Sequence, residues 1–187
     1  MRLFVALDIP EEVRDALAKL VLQFSNTCRG ARWARAENLH ITLKFIGEVD
    51  ETALAPIKAS LAEINFPHRI EILFRNFGFF PNERHPRVFW AGMDGGEALP
   101  DLARQIDAKL QPLGFPVEER DFRPHLTLAR FNSNEGLSKL QDMIKGLPTQ
   151  ELGRTIAREF HLYQSTLKRG GAEYARLATF ALGRGFE

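Results

Sequence analysis

Phe122-Arg123-Pro124-His125-Leu126-Thr127-Leu128-Ala129-Arg130 has a counterpart upstream, Asn38-Leu39-His40-Ile41-Thr42-Leu43-Lys44-Phe45. Each holds histidine, an aliphatic residue, threonine and leucine in that order. Side chains of a β-strand alternate between its faces, so a histidine and a threonine two apart share one face. Ile41, Leu43, Leu126 and Leu128 then form the apolar back. Each stretch reads as a strand buried on one side and carrying an imidazole and a hydroxyl on the other. One copy alone is a weak signal, because a lone histidine in an apolar strand is usually packed and hydrogen-bonded. The chain has five histidines. With ordinary threonine and leucine frequencies, a chance pair of copies is expected in fewer than about one chain in a thousand. The repeat therefore points to a paired site with two proton-transfer groups and two neutral donors.

Around these strands, residues 3–8 predict a strand ended by Ile9-Pro10. Pro10 opens a helix, with Glu11 and Glu12 suited to its positive end. Val13, Leu17, Leu20, Val21 and Phe24 keep helical spacing until residues 25–30 break it. Residues 31–34 suit a short strand carrying Trp33. Asp50 is placed to cap a helix over 51–64, and Pro67 stops that element. Residues 70–79 are β-rich, interrupted at Arg75 and Asn76. A basic loop follows over 80–86, then an apolar strand over 88–93. Helices over 99–113 and 133–146 flank the second motif strand. Residues 160–167 and 174–182 make a hairpin around Lys168-Arg169-Gly170-Gly171. Short turns between neighbouring strands favour an α+β fold with antiparallel sheets over a doubly wound parallel one. Each motif strand lies between helical segments, as if one βαβ-type unit were duplicated.

The 187 residues suit one domain, and 44% apolar residues suffice for a core. A formal net charge of +1 argues against a protein that grips long duplex nucleic acid. It leaves room for a local basic site that holds one phosphate. Cys28 is the single cysteine, so no internal disulfide forms, and a reducing cytoplasm fits. Residues 1–4 enter an alternating strand with no signal-peptide pattern. No apolar run reaches membrane-spanning length.

The two motifs resemble the signatures of the 2H phosphoesterases, specifically the bacterial and archaeal RNA 2′,3′-cyclic phosphodiesterases, also called 2′,5′ RNA ligases. The likeness extends to Arg2-Leu3-Phe4-Val5-Ala6-Leu7-Asp8, to residues 39–49, to Tyr163-Gln164-Ser165 and to Gly171-Ala172-Glu173-Tyr174. It covers nearly the whole chain. The resemblance implies a single domain, residues 1–187, of two pseudo-symmetric lobes with antiparallel sheets and helices outside. One motif would stand in each lobe, around 40–43 and 125–128, with the active site in the cleft between them. It also implies hydrolysis of a terminal 2′,3′-cyclic phosphate to a 2′-phosphomonoester, with His40 as general acid and His125 as general base. Thr42, Thr127 and Arg130 would bind phosphate, and Phe45 would stack on a base.

The residue chemistry agrees with that reading. A histidine pair can hold one neutral and one protonated ring, so one takes a proton while the other gives one. Hydroxyls donate to non-bridging phosphate oxygens, guanidinium neutralises phosphate, and an aromatic face stacks on any base. Strict alternation, however, puts Phe45 and Arg130, each five residues after its histidine, on the opposite face. A bulge or a twist at the strand end is required. The nearest acids in sequence, Glu37 and Asp121, are isolated, so the motifs lack the ligand cluster of a metal site. No metal and no cofactor are expected.

The partner implied is RNA with a 2′,3′-cyclic phosphate end, tRNA fragments among the candidates, or a cyclic nucleotide. No membrane and no obligate protein partner are indicated. Rival readings are a 2′,5′ RNA ligase or 2′,5′ phosphodiesterase, an enzyme for small cyclic phosphates, and an RNA-end binding module without turnover. Arg84, His85 and Arg87, like Arg29, Arg32 and Arg35, read as solvated basic clusters. His161 reads as structural and His68 as a surface residue.

Overall fold

In the computed structural model, which describes residues 1–169 and 171–183, the chain alternates between two antiparallel sheets. One sheet has the order β3-β1-β8-β9, from His40–Glu48, Arg2–Asp8, Glu159–Lys168 and Gly171–Ala181. The other has the order β2-β6-β5-β4-β7, from Ala31–Trp33, His125–Phe131, Val88–Asp94, Ile70–Phe80 and Glu151–Ala157. We call them the first and the second sheet. Each contains one motif strand, and the two sheets meet where β3 lies against β6. The fold is α+β, with two lobes.

Among the described residues, four α-helices cover the outer faces. α1 (Glu11–Thr27) packs on β2 and β7 and touches α4 (Leu137–Lys145). α2 (Leu54–Ala62) and α3 (Ala98–Leu110) pack on each other and on β9 and β3 respectively. Val13, Leu17 and Phe24 of α1 are buried, as are Leu99, Leu102, Ile106 and Leu110 of α3. The helix after β1 thus covers the second sheet, and the helix after β5 covers the first. Neither lobe is a continuous stretch of chain. Among the described residues, no helix is long and apolar enough to cross a membrane.

Several expected boundaries shift. The first helix runs on to Thr27, because Phe24 is buried at its end and Cys28 N–H still donates to the Phe24 carbonyl. Asp50 makes no side-chain cap; a 3₁₀ turn over Glu51–Ala53 precedes α2. α4 starts at Leu137, since Gly136 holds a positive φ of 81° that ends the preceding loop. Strand β7 has no counterpart among the expected elements. Its residues are half-exposed or exposed throughout, so an edge position replaces apolar alternation as the reason it pairs. The interruption at Arg75 and Asn76 is real: pairing with β5 slips between Phe74 and Phe77, and Asn76 has a φ of 65°. Cys28 is buried, its thiol donating to the Glu135 carbonyl (3.3 Å) and pushed up in pKa by burial. His68 is exposed and His161 is buried. Gly170 of the hairpin turn lies outside the described residues.

Candidate active site

The two histidines open their strands in the same way. His40 is the first residue of β3 and His125 the first of β6. His40 Nδ1–H donates to the Asn38 carbonyl (2.8 Å), and His125 Nδ1–H to the Arg123 carbonyl (2.7 Å). A carbonyl only accepts, so each ring carries its proton on Nδ1 when neutral. That leaves Nε2 as a lone pair with no protein partner among the described residues, able to take a proton, or to give one once charged. Each ring is also braced by aromatic side chains. Phe4 lies 4.7 Å from His40, and Tyr174 stands edge-on to it at 5.1 Å; Phe80 stands edge-on to His125 at 5.1 Å.

Both motif strands contain the bulge that alternation demands. In β3, Thr42 pairs with Ala6 and Lys44 with Val5, leaving Leu43 as an extra residue. Leu43 and Lys44 are both buried, and Phe45 returns to the face of His40 and Thr42, where it is 64% exposed. In β6, Thr127 pairs with Trp90 and Ala129 with Phe89, leaving Leu128 extra. Leu128 and Ala129 are both buried, and Arg130 emerges on the face of His125 and Thr127. One extra residue in each strand therefore gathers three motif side chains onto one face. Among the described residues, the Thr42 and Thr127 hydroxyls have no hydrogen-bond partner in the protein.

The bulge in β3 also turns Lys44 inward. Its ammonium pairs with Asp107 of α3 and donates to the Pro116 carbonyl (2.7 Å). Pro116 lies in the loop that leads to His125, so this ion pair ties β3, α3 and the approach to β6 together.

Acids near the site come from elsewhere in the chain. Asp8 lies directly opposite His40 across β1 and β3. It accepts from Tyr163 Oη (2.5 Å) and pairs with Arg176. Burial pulls the His40 pKa below its ordinary value; the hydrogen bond to Asn38 and the Asp8 charge oppose that. Burial, then the Asp8 hydrogen bond, push the Tyr163 phenol up to about 12. Behind them, His161 bonds Thr179 (3.0 Å) and sits 3.6 Å from Asp8. Phe4, Asp8, Arg14, His40, Tyr163 and Tyr174 help line a cavity of about 350 Å³ beside His40. Glu37 lines it too, whereas Asp121 does not. Asp8 and Tyr163 are 155 residues apart, and no spacing rule could have joined them.

Arg130 stands close enough to Tyr174 that, with Arg2, it draws down a phenol that burial raises. The second motif strand thus reaches across to the side chain that braces His40. Among the described residues, no group of three or more His, Cys, Asp and Glu side chains could hold a metal ion.

Two antiparallel sheets meeting along their motif strands, each with one histidine whose Nε2 is open, define a two-histidine phosphoesterase. The chain belongs to the LigT like Phosphoesterase family, which it matches over residues 7–90 and 93–174. It is 39% identical over 174 residues to an RNA 2′,3′-cyclic phosphodiesterase of Methanocaldococcus jannaschii, covering 93% of this chain and 96% of that one. A relative of the same name from Archaeoglobus fulgidus is 36% identical over 180 residues, covering 96% and 99%. A crystal structure of a Thermus thermophilus protein superposes with a TM-score of 0.81 at 30% identity over the whole of both chains. E. coli LigT complexed with 3′-AMP superposes with a TM-score of 0.77 at 28% identity over 98% of each.

Proposed function

We infer that this chain is an RNA 2′,3′-cyclic phosphodiesterase that works by two-histidine acid–base catalysis. The observation that carries the reading is the matched pair of imidazoles. Each commits Nδ1–H to a backbone carbonyl and leaves Nε2 open. The curated relatives named RNA 2′,3′-cyclic phosphodiesterase support it.

Water attacks phosphorus while His125 Nε2 takes its proton. The P–O3′ bond breaks on the opposite side, and the departing O3′ takes the proton that His40 Nε2 carries. The phosphate stays on O2′. Each proton transfer is worth roughly 10²–10⁴-fold. Burial makes His40 more willing to surrender its proton, while Asn38 and Asp8 keep the charged ring from being too costly. Thr42, Thr127 and Arg130 stabilise the non-bridging oxygens, and Phe45 offers its exposed face to the terminal base. The buried thiol of Cys28 fits a cytoplasmic setting.

The test offers an RNA oligomer with a 2′,3′-cyclic phosphate end, a 2′,5′-linked dinucleotide and small cyclic nucleotides, all with EDTA present. The RNA end should turn over fastest and yield a 2′-phosphate. Turnover of the 2′,5′ dinucleotide alone, a 3′-phosphate product, or activity that EDTA abolishes and a divalent ion restores would each overturn this reading.

A further inference from the structure

The face that carries Arg130 holds a second guanidinium that the proposed reaction leaves unused. Arg32 of β2 is the direct cross-strand partner of Arg130. Paired residues share a face, so Arg32 stands on the side of His125 and Thr127. Trp33, next along β2, pairs with buried Ala129 and packs on Phe24 and Phe89 behind the sheet. Both arginines are exposed. Like charges directly opposite each other destabilise a sheet, and among the described residues neither arginine has an acidic partner.

Arg32 also reaches toward the first sheet. A Cβ placed on Gly171, at the start of β9, would lie 3.9 Å from Arg32 Nη2. Asn38 Nδ2 donates to the neighbouring Ala172 carbonyl (2.8 Å). The pair therefore sits where the β8–β9 hairpin approaches β2, alongside Tyr174, which braces His40. Paired cross-strand Cβ atoms stand about 5 Å apart, and two long arginine stems on such a pair have the reach to meet neighbouring phosphates of one strand. Two uncompensated forks side by side fit two anions better than one.

We propose that Arg32 binds the phosphodiester immediately 5′ of the cyclic end, so that the site selects an RNA end over a cyclic mononucleotide. The proposal rests on the cyclic phosphodiesterase reading and adds the length of RNA recognised. Arg130 holds the reacting phosphate, and Arg32 holds the next one, which a mononucleotide lacks.

The test compares wild type, Arg32→Gln and, as a charge control, Lys139→Gln at an exposed position of α4. The ratio of kcat/KM for a cyclic-ended trinucleotide to that for a 2′,3′-cyclic mononucleotide should fall about tenfold in Arg32→Gln. It should hold in Lys139→Gln. Separately, fluorescence anisotropy measures binding of a 5′-labelled trinucleotide ending in a 2′-phosphate across a salt series. The slope of log affinity against log salt should flatten by roughly 0.7 on losing one single-strand phosphate contact. Arg32→Lys, which keeps the charge, should restore the slope. An unchanged ratio, an equal loss on both substrates or an unchanged slope overturns the proposal. If the wild-type protein hydrolyses neither substrate, the proposed reaction fails, and the anisotropy series still decides whether Arg32 binds phosphate.

Discussion

Replacing Lys44 with methionine removes one charge from a pair that the bulge in β3 has turned inward. The Lys44 side chain is 6% exposed and that of Asp107 is 14% exposed. Methionine keeps most of the apolar stem, so the change isolates the ammonium. Asp107 would then be left with one long bond from the Glu118 amide (3.4 Å) and little water. Removing one member of a buried pair costs about 3–5 kcal/mol, because the survivor is an uncompensated charge. For a chain of this size each kcal/mol lowers Tm by about 2–4 °C, which gives a drop of roughly 6–20 °C. Lys44→Met/Asp107→Leu should recover most of it, since a matched apolar pair is often neutral or stabilising. Thermal and urea unfolding of the two single variants and the double variant close a double-mutant cycle. On strict alternation from His40, Lys44 would instead stand in the cleft, where a solvated lysine is worth within about 0.5 kcal/mol. A Lys44→Met cost that small, or a coupling energy below about 1 kcal/mol, would falsify the bulged register and with it the placement of Phe45.

Thr42→Val and Thr127→Val should each slow turnover roughly 10²-fold, as loss of one preorganised donor does, while Tm moves by no more than about 4 °C. Matching losses of stability and activity, with unchanged kinetics of the folded fraction, would mark both as sheet residues only. Burial lowers the His161 and His40 pKa values, so the unfolded chain takes up these protons first, near its ordinary pKa of about 6.5. Their contribution to stability is present above that pH and is lost as pH falls through the lower folded values. Tm should therefore decline from about pH 7.5 to about 5, and His161→Gln should flatten the decline; an unaltered slope would refute the burial account. His40 and His125 are told apart by a substrate with sulfur in place of the bridging O3′. A thiolate, whose conjugate acid has a pKa of roughly 8–9, leaves without a proton. His40→Ala should then regain much of its lost rate while His125→Ala stays slow, and the opposite pattern reverses the assignment.

The paired histidines, their threonines, the apolar backs and the α+β class are local properties. They follow from the two-residue period of a strand, from turn chemistry and from a motif that occurs twice. Even the need for a bulge before Phe45 and Arg130 was legible, because a five-residue offset cannot share a face in a regular strand. Which residue bulges was not: Leu43 and Leu128 are singled out only by the register of β1 and β5 against the motif strands. Asp8, Tyr163 and Arg176 gather around one carboxylate from opposite ends of the chain, and only the adjacency of β1, β8 and β9 brings them beside His40. Arg32 reads in sequence as one of three surface arginines; its pairing with Arg130 makes it a neighbour of the proposed phosphate site. β7 carries no apolar alternation and is a strand because β4 offers it an edge. Strand order is set by which apolar faces can be buried together, a sum over the whole chain that no short stretch encodes.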